Sequence, residues 1–197
     1  MNTFTHILES INWVDVAMLV LLIRIVFIGV QTGFVTELFK ILGVLGAVFV
    51  GLHYYASMAA VMARKTGWSL ESWEFVIFVL LCSVVILAVK FLRDWFLTLF
   101  KFETTHAGFN QWGAGLICVV RVLFLASLIM YGLLLTRIEY LQRQTLTSVS
   151  QKLALKAAPH TYSFMFNHVF GKIFTRQRFN EDVFNVISRN SVGRKPF

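Results

Sequence analysis

Four long apolar runs constrain the fold of this chain more than any other feature. A helix needs about 20 residues to cross ~30 Å of hydrocarbon, so each run is long enough to span a membrane. Only 14% of the 197 residues are charged and 57% are hydrophobic, which leaves too few polar side chains to cover a soluble core. We therefore predict an all-α membrane protein with four transmembrane helices in two hairpins. The runs extend from Trp13 to Val30, Val35 to about Tyr55, Trp73 to Leu92 and Trp112 to Leu135.

The C-terminal third has a different composition. A polar linker begins after Thr136 and is closed by Pro159, so we divide the chain into a transmembrane domain at 1–136 and a tail at 137–197. Beyond Pro159, apolar residues recur at helical spacing, which predicts an amphipathic helix too short to span. We favour a helix in the membrane interface over one packed under the bundle, and we expect a partly disordered end. The apolar positions are Tyr162, Phe166, Val169, Phe170, Ile173 and Phe174.

The net charge of +8 comes from basic residues at the ends of the apolar runs and along the C-terminal third. That distribution is typical of side chains facing anionic lipid headgroups, and no basic module interleaved with aromatics indicates nucleic acid. Cys82 and Cys118 lie within apolar runs and are predicted to be buried small side chains. Neither the cysteines nor the five histidines have the spacing of a metal site, so we predict no metal and no cofactor.

Small residues predict where helices touch, because helix association in lipid depends on close backbone approach. Gly29 and Gly33 form one GxxxG pattern around the first hairpin, and Gly43, Ala47 and Gly51 form a ladder along one face of the second helix. Packing inside the four-helix bundle is one interpretation of the ladder, and a seam between copies of the chain is the other.

Five charged residues are predicted to converge on one half of the membrane: Arg24, Glu37, Lys40, Lys90 and Arg121. Arg24 lies about 10 Å, and Arg121 about 13 Å, from the side that bears the first and third loops. A lone charge at such depth costs at least ~2.5 kcal/mol, so each must pair, face the bundle interior or snorkel. Glu37 is the only acid of the five, and we predict that it pairs with Arg24 across the hairpin. Arg121 is then left without an obvious intramembrane acid, although Asp94 and Glu103 in the following loop region could reach toward it.

These charges have two interpretations. They lock the bundle or snorkel to the headgroups, or they serve a function, as intramembrane ionisable residues often do. In the functional interpretation, Arg24, Lys40 and Arg121 form a cationic site for an anion or a lipid headgroup. No acid pair or nucleophile–base pair is found at membrane depth, so we predict no catalytic residues and no enzyme.

The orientation follows from the basic residues near the helix ends. The side with the first and third loops has Lys40, Lys90, Arg93 and Lys101, whereas the segment before the first helix has no Lys or Arg. Basic loops face the cytoplasm, so this asymmetry predicts that both termini lie outside. The ten basic residues from Arg137 onward oppose this prediction.

The first hairpin, "NWVDVAMLVLLIRIVFIGVQTGFVTELFK", resembles that of the colicin V production protein (CvpA) family of bacterial inner-membrane proteins. In the fourth helix, Asn110 and Gln111 stand where the family has an acidic–basic pair, and Ala114, Cys118 and Val122 replace glycines. The positions that match the family pattern in order and spacing are Asp15, Gly29, Gly33, Phe34, Glu37 and Arg121.

The resemblance implies a non-enzymatic, multi-pass inner-membrane protein that takes part in toxin (bacteriocin) production or export and in envelope homeostasis. It would work through an unknown membrane or envelope partner, or as a homo-oligomer. The alternative is an oligomeric channel or transporter-like protein with the cationic intramembrane site described above.

Overall fold

The computed structural model of the chain describes residues 12–99, 107–170 and 179–192, and every regular element in these ranges is helical. The four longest helices contain the four predicted runs. Shorter helices follow, and a π-helical turn at Phe166–Phe170 continues the third of them. The helices are α1 (Trp13–Thr32), α2 (Phe34–Thr66), α3 (Leu70–Leu99), α4 (Ala107–Leu135), α5 (Glu139–Thr147), α6 (Val149–Ala154), α7 (Ala157–Met165) and α8 (Asp182–Val192).

Among the residues that the structure describes, three segments are long and apolar enough to cross a membrane: α2, α3 and the Trp112–Leu135 part of α4. The prediction of a multi-pass helical membrane protein is confirmed at this level, whereas the count of four spans is not, because α1 is not among the three. α2 has 33 residues and is about 50 Å long, so it extends well beyond ~30 Å of hydrocarbon.

The first hairpin turns at a single residue. Gly33 separates α1 from α2 with φ 84° and ψ 158°, a conformation that a residue with a Cβ rarely adopts. The two helices nevertheless do not pair along their lengths: α1 packs mainly on α4, and α2 packs mainly on α3. At its other end, α2 stops at Gly67, whose left-handed backbone lets its N–H donate to the Ala63 carbonyl oxygen.

The small-residue ladder of α2 packs inside the bundle against α3. A Cβ on Gly51 would lie 2.7 Å from the Cys82 Sγ, and one on Gly43 would lie 3.3 Å from the Val89 Cβ. Ala47, between them, is fully buried, and its carbonyl oxygen accepts a hydrogen bond from the Cys82 thiol. The ladder therefore serves internal packing in this chain rather than leaving a free face for a second copy.

The interior continues from α2 and α3 to α4 through aromatic side chains. Tyr55 and Tyr131 are buried, and the Tyr131 hydroxyl donates to the Tyr55 hydroxyl at 3.0 Å. Phe78 of α3 packs against both rings, with centroids at 6.2 Å from Tyr55 and 5.5 Å from Tyr131. The hydroxyls satisfy each other, so these large rings fill the core without leaving a polar atom unpaired.

The C-terminal region corrects the prediction of an interfacial helix. α7 packs against α2 and α4, and Ala158, Tyr162 and Phe166 are buried in the same core as α2. This part of the tail therefore packs with the bundle, and the division of the chain at residue 136 stays a prediction. Part of the end that we expected to be disordered forms α8, whereas residues 171–178 and 193–197 lie outside the described residues.

The segment around α7 also makes hydrogen bonds to the bundle that its sequence pattern did not predict. The Tyr162 hydroxyl lies 2.9 Å from the His53 Nδ1 and accepts a hydrogen bond from the Asn180 N–H at 3.1 Å. Ser127 of α4 donates to the Leu155 carbonyl oxygen and accepts from the Ala158 N–H. These bonds explain why the segment packs under the bundle, since an interfacial helix would expose them to competition from water.

Candidate functional site

A buried carboxylate lies one turn into α2, at the end of the bundle where α1 meets α2. The Glu37 side chain has no exposed surface. Its Oε1 accepts hydrogen bonds from the Thr32 hydroxyl and the Lys40 ammonium, both at 2.6 Å. Its Oε2 lies 3.0 Å from the Nη1 of Arg121 on α4. We name Thr32, Glu37, Lys40, Cys118 and Arg121 the Glu37 cluster.

The local sequence fixes the place of the carboxylate. Helix α2 begins directly after Gly33, and the Glu37 N–H donates to the Gly33 carbonyl oxygen at 3.1 Å. Glu37 is therefore in the first turn, where the positive end of the helix dipole favours an acid. Lys40 follows three residues later and projects from the same face, which explains the short intrahelical ion pair.

Arg121 is brought to Glu37 by the contact of α1 with α4. The Arg121 Nη2 donates to the Cys118 Sγ at 3.3 Å, and the Cys118 thiol donates to the Ile25 carbonyl oxygen at 3.1 Å. A Cβ on Gly29 would lie 2.3 Å from the Cys118 Sγ, so only glycine permits this approach of α1. The absence of a side chain at Gly29 therefore determines how closely three helices meet around one carboxylate.

The cluster has more cationic charge than anionic charge. Lys40 and Arg121 carry two positive charges against the single negative charge of Glu37. The Lys40 side chain keeps 23% of its surface exposed, whereas Arg121 keeps 9%. Among the described residues, neither the Glu37 Oε2 nor the Arg121 Nε has a partner in hydrogen-bond geometry. The Oε2 is held instead by its ion pair with the Arg121 Nη1.

The predicted pair of Arg24 and Glu37 does not form, and this expectation is corrected. Arg24 is exposed on α1, and no ion pair of Arg24 is found among residues 12–99, 107–170 and 179–192. α1 turns Val14, Met18 and Gly29 toward the interior, and Arg24 lies on another face of that helix. Two residues at similar depth in a hairpin therefore need not form an ion pair. The direction of the Arg24 side chain depends on the helix against which α1 packs.

The expectation that Arg121 lacks an acid was also wrong, since Arg121 takes the position that we assigned to Arg24. Of the proposed cationic site, Lys40 and Arg121 come together and Arg24 does not. Sequence reasoning missed Thr32 and Cys118. The available signals were the three-residue spacing from Cys118 to Arg121 and the place of Thr32 directly before the Gly33 turn.

Five of the six motif positions belong to this part of the structure. Gly29, Gly33, Glu37 and Arg121 build the cluster as described. Phe34 packs on α4 next to the cluster, where a Cβ on Gly113 would lie 2.8 Å from the Phe34 ring. The motif therefore describes one junction of α1, α2 and α4.

Asp15, the sixth motif position, has a separate role at the opposite end of α1. Its carboxylate accepts hydrogen bonds from the Val149 N–H and from the N–H and hydroxyl of Ser150, at 2.6 to 3.0 Å. It thus caps α6 instead of the helix that carries it, whose N-cap is Asn12. The Asn12 amide also donates to the Gln144 carbonyl oxygen. These two residues attach the start of α1 to the C-terminal region.

The chemistry available at the Glu37 cluster is that of charge pairing and hydrogen bonding. The cluster has one carboxylate, two cations, a hydroxyl and a thiol donor. Within the described ranges, no group of three or more His, Cys, Asp or Glu side chains is placed to hold a metal ion. The cluster can therefore lock helices, or bind an anion through Lys40, the more exposed of its two cations.

A family model described as colicin V production protein matches residues 14–159. The match includes the whole Glu37 cluster, the ladder of α2 and the start of α6, which Asp15 caps. No curated protein and no solved structure matches the chain significantly.

Proposed function

Because the chain belongs to the colicin V production protein family, we propose that it supports the production or export of a peptide toxin and the homeostasis of the envelope. It does so without catalysis, through a membrane or envelope partner or as a homo-oligomer. This proposal rests on the place of the motif residues in the structure. Five of them hold α1, α2 and α4 together at one junction, which suits a protein that presents a fixed surface to a partner. They are Gly29, Gly33, Phe34, Glu37 and Arg121. The family is not known as an enzyme family.

The test compares a toxin-producing strain that lacks this protein with the same strain carrying it. Toxin activity is measured separately in the medium and in lysed cells by the growth inhibition of a sensitive strain. In the strain that lacks the protein, we expect less toxin in the medium and greater sensitivity to detergents. Expression of the wild-type chain should reverse both effects. Unchanged toxin in both fractions together with unchanged detergent sensitivity would contradict the proposal.

We further propose that α1 is a fourth span and that the chain lies in the bacterial inner membrane. α1 runs antiparallel to α4: Gly29 contacts Cys118, whereas Val14 and Met18 pack with Met130 and Leu134 near the other end of α4. Its 20 residues measure about 30 Å, the thickness of the hydrocarbon. Its outward face is apolar at Leu19, Val20, Ile23 and Phe27, as lipid contact requires, and Arg24 is the charge on that face.

The proposed orientation has both termini outside the cytoplasm, from the basic residues near the first and third loops. A C-terminal fusion to alkaline phosphatase should then be active, and a fusion to a fluorescent protein that folds only in the cytoplasm should be dark. A second phosphatase fusion, within the first turn of α2 at the other end of the bundle, should be inactive. The reverse pattern would overturn this orientation.

A second candidate function is binding or passage of an anion. The excess positive charge of the Glu37 cluster and the unpartnered Arg121 Nε favour it. Passage through a single copy is disfavoured, because α3 offers only Cys82 and Ser83 as polar side chains between Glu74 and Lys90. Chloride and phosphate efflux from proteoliposomes would decide: wild-type flux that is lost in Lys40→Gln would support this function, and no flux above empty liposomes would exclude it.

A further inference from the structure

An apolar groove runs along the outside of the bundle between α3 and α4. Helix α3 packs on α2 and barely touches α4, so a cavity of about 310 Å³ opens between their outer faces. Phe78, Cys82 and Ile86 of α3 form one wall, and Leu125 and Ile129 of α4 form the other. Among the described residues that line it, Ser83 alone carries a hydroxyl. Val79 and Ile129, which line the groove, are 44% and 39% exposed, so it is open sideways.

The groove belongs to the part of the chain that crosses the membrane. Both α3 and Trp112–Leu135 are long and apolar enough to span, so the medium around the groove is hydrocarbon. An open apolar groove in that medium is filled by an acyl chain or by another helix. An acyl chain is favoured over a helix because a basic side chain follows the groove one turn further along α3, where a lipid headgroup would lie.

The wall formed by α3 leads to a basic side chain. Val79, Ser83 and Ile86 recur at helical spacing, and the next position on that face is Lys90, about 6 Å further along the axis. Lys90 is exposed, and within the described ranges it has no ion pair. Arg93, one turn beyond, donates to the neighbouring Asp94 carboxylate. Lys90 is therefore the cation available to a group at the end of the groove.

We propose that this surface binds an anionic phospholipid, with one acyl chain in the α3–α4 groove and the phosphate on Lys90. The lysine stem can follow the apolar surface while its ammonium reaches the headgroup layer. This assignment depends on α3 and α4 crossing the membrane and not on the role in toxin production. A failure of one proposal would leave the other standing.

The test uses the full chain purified in detergent, with phosphatidylglycerol and phosphatidylcholine of identical acyl chains as probes. Lipid retention is counted by native mass spectrometry. The wild-type chain should retain phosphatidylglycerol preferentially. Lys90→Gln should lower this preference about fivefold, the factor for about 1 kcal/mol per basic residue at an anionic surface. Lys65→Gln, at an exposed lysine of α2 away from the groove, should leave it unchanged, and Lys90→Arg should preserve it.

A second pair of variants tests the groove itself. Ile129→Phe should fill the cavity and reduce the retention of both lipids, whereas Leu123→Phe should have little effect, because Leu123 is equally exposed at 39% but does not line the groove. A photoactivatable phosphatidylglycerol should crosslink to groove residues of the unaltered chain, which removes dependence on the folding of any variant. Equal retention of the two lipids by the wild type, or crosslinks elsewhere, would overturn the proposal. Dimers that form without lipid and that Ile129→Phe converts to monomers would also overturn the proposal, because a second copy of the chain would then occupy the groove.

Discussion

At the scale of residues, one carboxylate and one missing side chain organise the candidate site. Glu37 is fully buried between Lys40 and Arg121, and Gly29 admits the Cys118 thiol that orients Arg121. Removing one partner from a buried ion pair leaves an uncompensated charge and typically costs about 3–5 kcal/mol, whereas removing both costs much less. The partners of Glu37 can therefore be identified from the way that substitutions combine.

We predict strong non-additivity between Glu37 and Arg121. Glu37→Gln and Arg121→Gln should each lower the unfolding temperature and the membrane level of the chain, and the double variant should lose markedly less than the sum. The measurement is thermal unfolding in detergent with quantitative blots of membranes. Arg24→Gln combined with Glu37→Gln serves as the control and should be additive, because Arg24 is exposed. Coupling of Arg24 instead of Arg121 would restore the hairpin pair that the structure excludes.

Gly29→Ala is expected to destabilise the junction of α1 with α4. Its new Cβ would lie 2.3 Å from the Cys118 Sγ, and overpacking of this kind costs about 1–3 kcal/mol. Adding Cys118→Ala removes the sulfur and should restore part of the lost unfolding temperature. Gly132→Ala is the matched control, since its Cβ would have only an ordinary contact of 3.4 Å with Phe78. Equal losses in Gly29→Ala and Gly132→Ala would show that space at Gly29 is not limiting.

At the scale of elements, the turn after α4 decides whether the C-terminal helices fold back. Arg137 adopts φ 53°, a left-handed conformation that costs a residue with a Cβ about 1–2 kcal/mol. Its guanidinium forms ion pairs with Glu71 and Glu74 at the start of α3. These ion pairs join the residue after α4 to the start of α3, and α5 then begins at Glu139.

Substitutions at Arg137 should separate the backbone conformation from the ion pairs. Arg137→Ala loses the pairs and keeps the backbone strain, whereas Arg137→Gly loses the pairs and relieves the strain. We expect Arg137→Gly to be the more stable of the two by about 1 kcal/mol, measured by unfolding in detergent. Arg143→Gly and Arg143→Ala, inside α5, provide the reversed control, because glycine is unfavourable within a helix. A less stable Arg137→Gly would mean that strain is not important at this turn.

At the scale of the whole molecule, the chain closes on itself at one end of the bundle. Asp15 caps α6, and Tyr162 of α7 joins His53 of α2 to Asn180 before α8. The start of α1, the long second helix and the C-terminal helices thus form one packed unit. Burial raises the pKa of Tyr162, so its hydroxyl stays protonated at neutral pH.

Tyr162→Phe should loosen the C-terminal helices without unfolding the bundle. The substitution keeps the ring and removes the hydroxyl that bonds with His53 and Asn180, which leaves part-buried polar groups unsatisfied at a cost of about 1–3 kcal/mol. Hydrogen exchange followed by mass spectrometry should show faster exchange in residues 157–170 and little change in α3. Tyr140→Phe, at a tyrosine that is 61% exposed, is the control. Equal hydrogen exchange of residues 157–170 in the Tyr162→Phe and Tyr140→Phe variants would show that the Tyr162 hydroxyl does not hold the C-terminal helices in place.

The sequence by itself determined the helical class, the places of the long helices and the family, because apolar length and the order of motif residues are properties of the chain alone. It also indicated that Glu37 and Arg121 matter, but it assigned the carboxylate to Arg24. Only the tertiary structure decided that pairing, since α1 packs on α4 and turns Arg24 outward. The same holds for Tyr162 and the groove beside α3: periodicity shows that a helix has an apolar face, but the long-range packing of other helices decides what that face contacts.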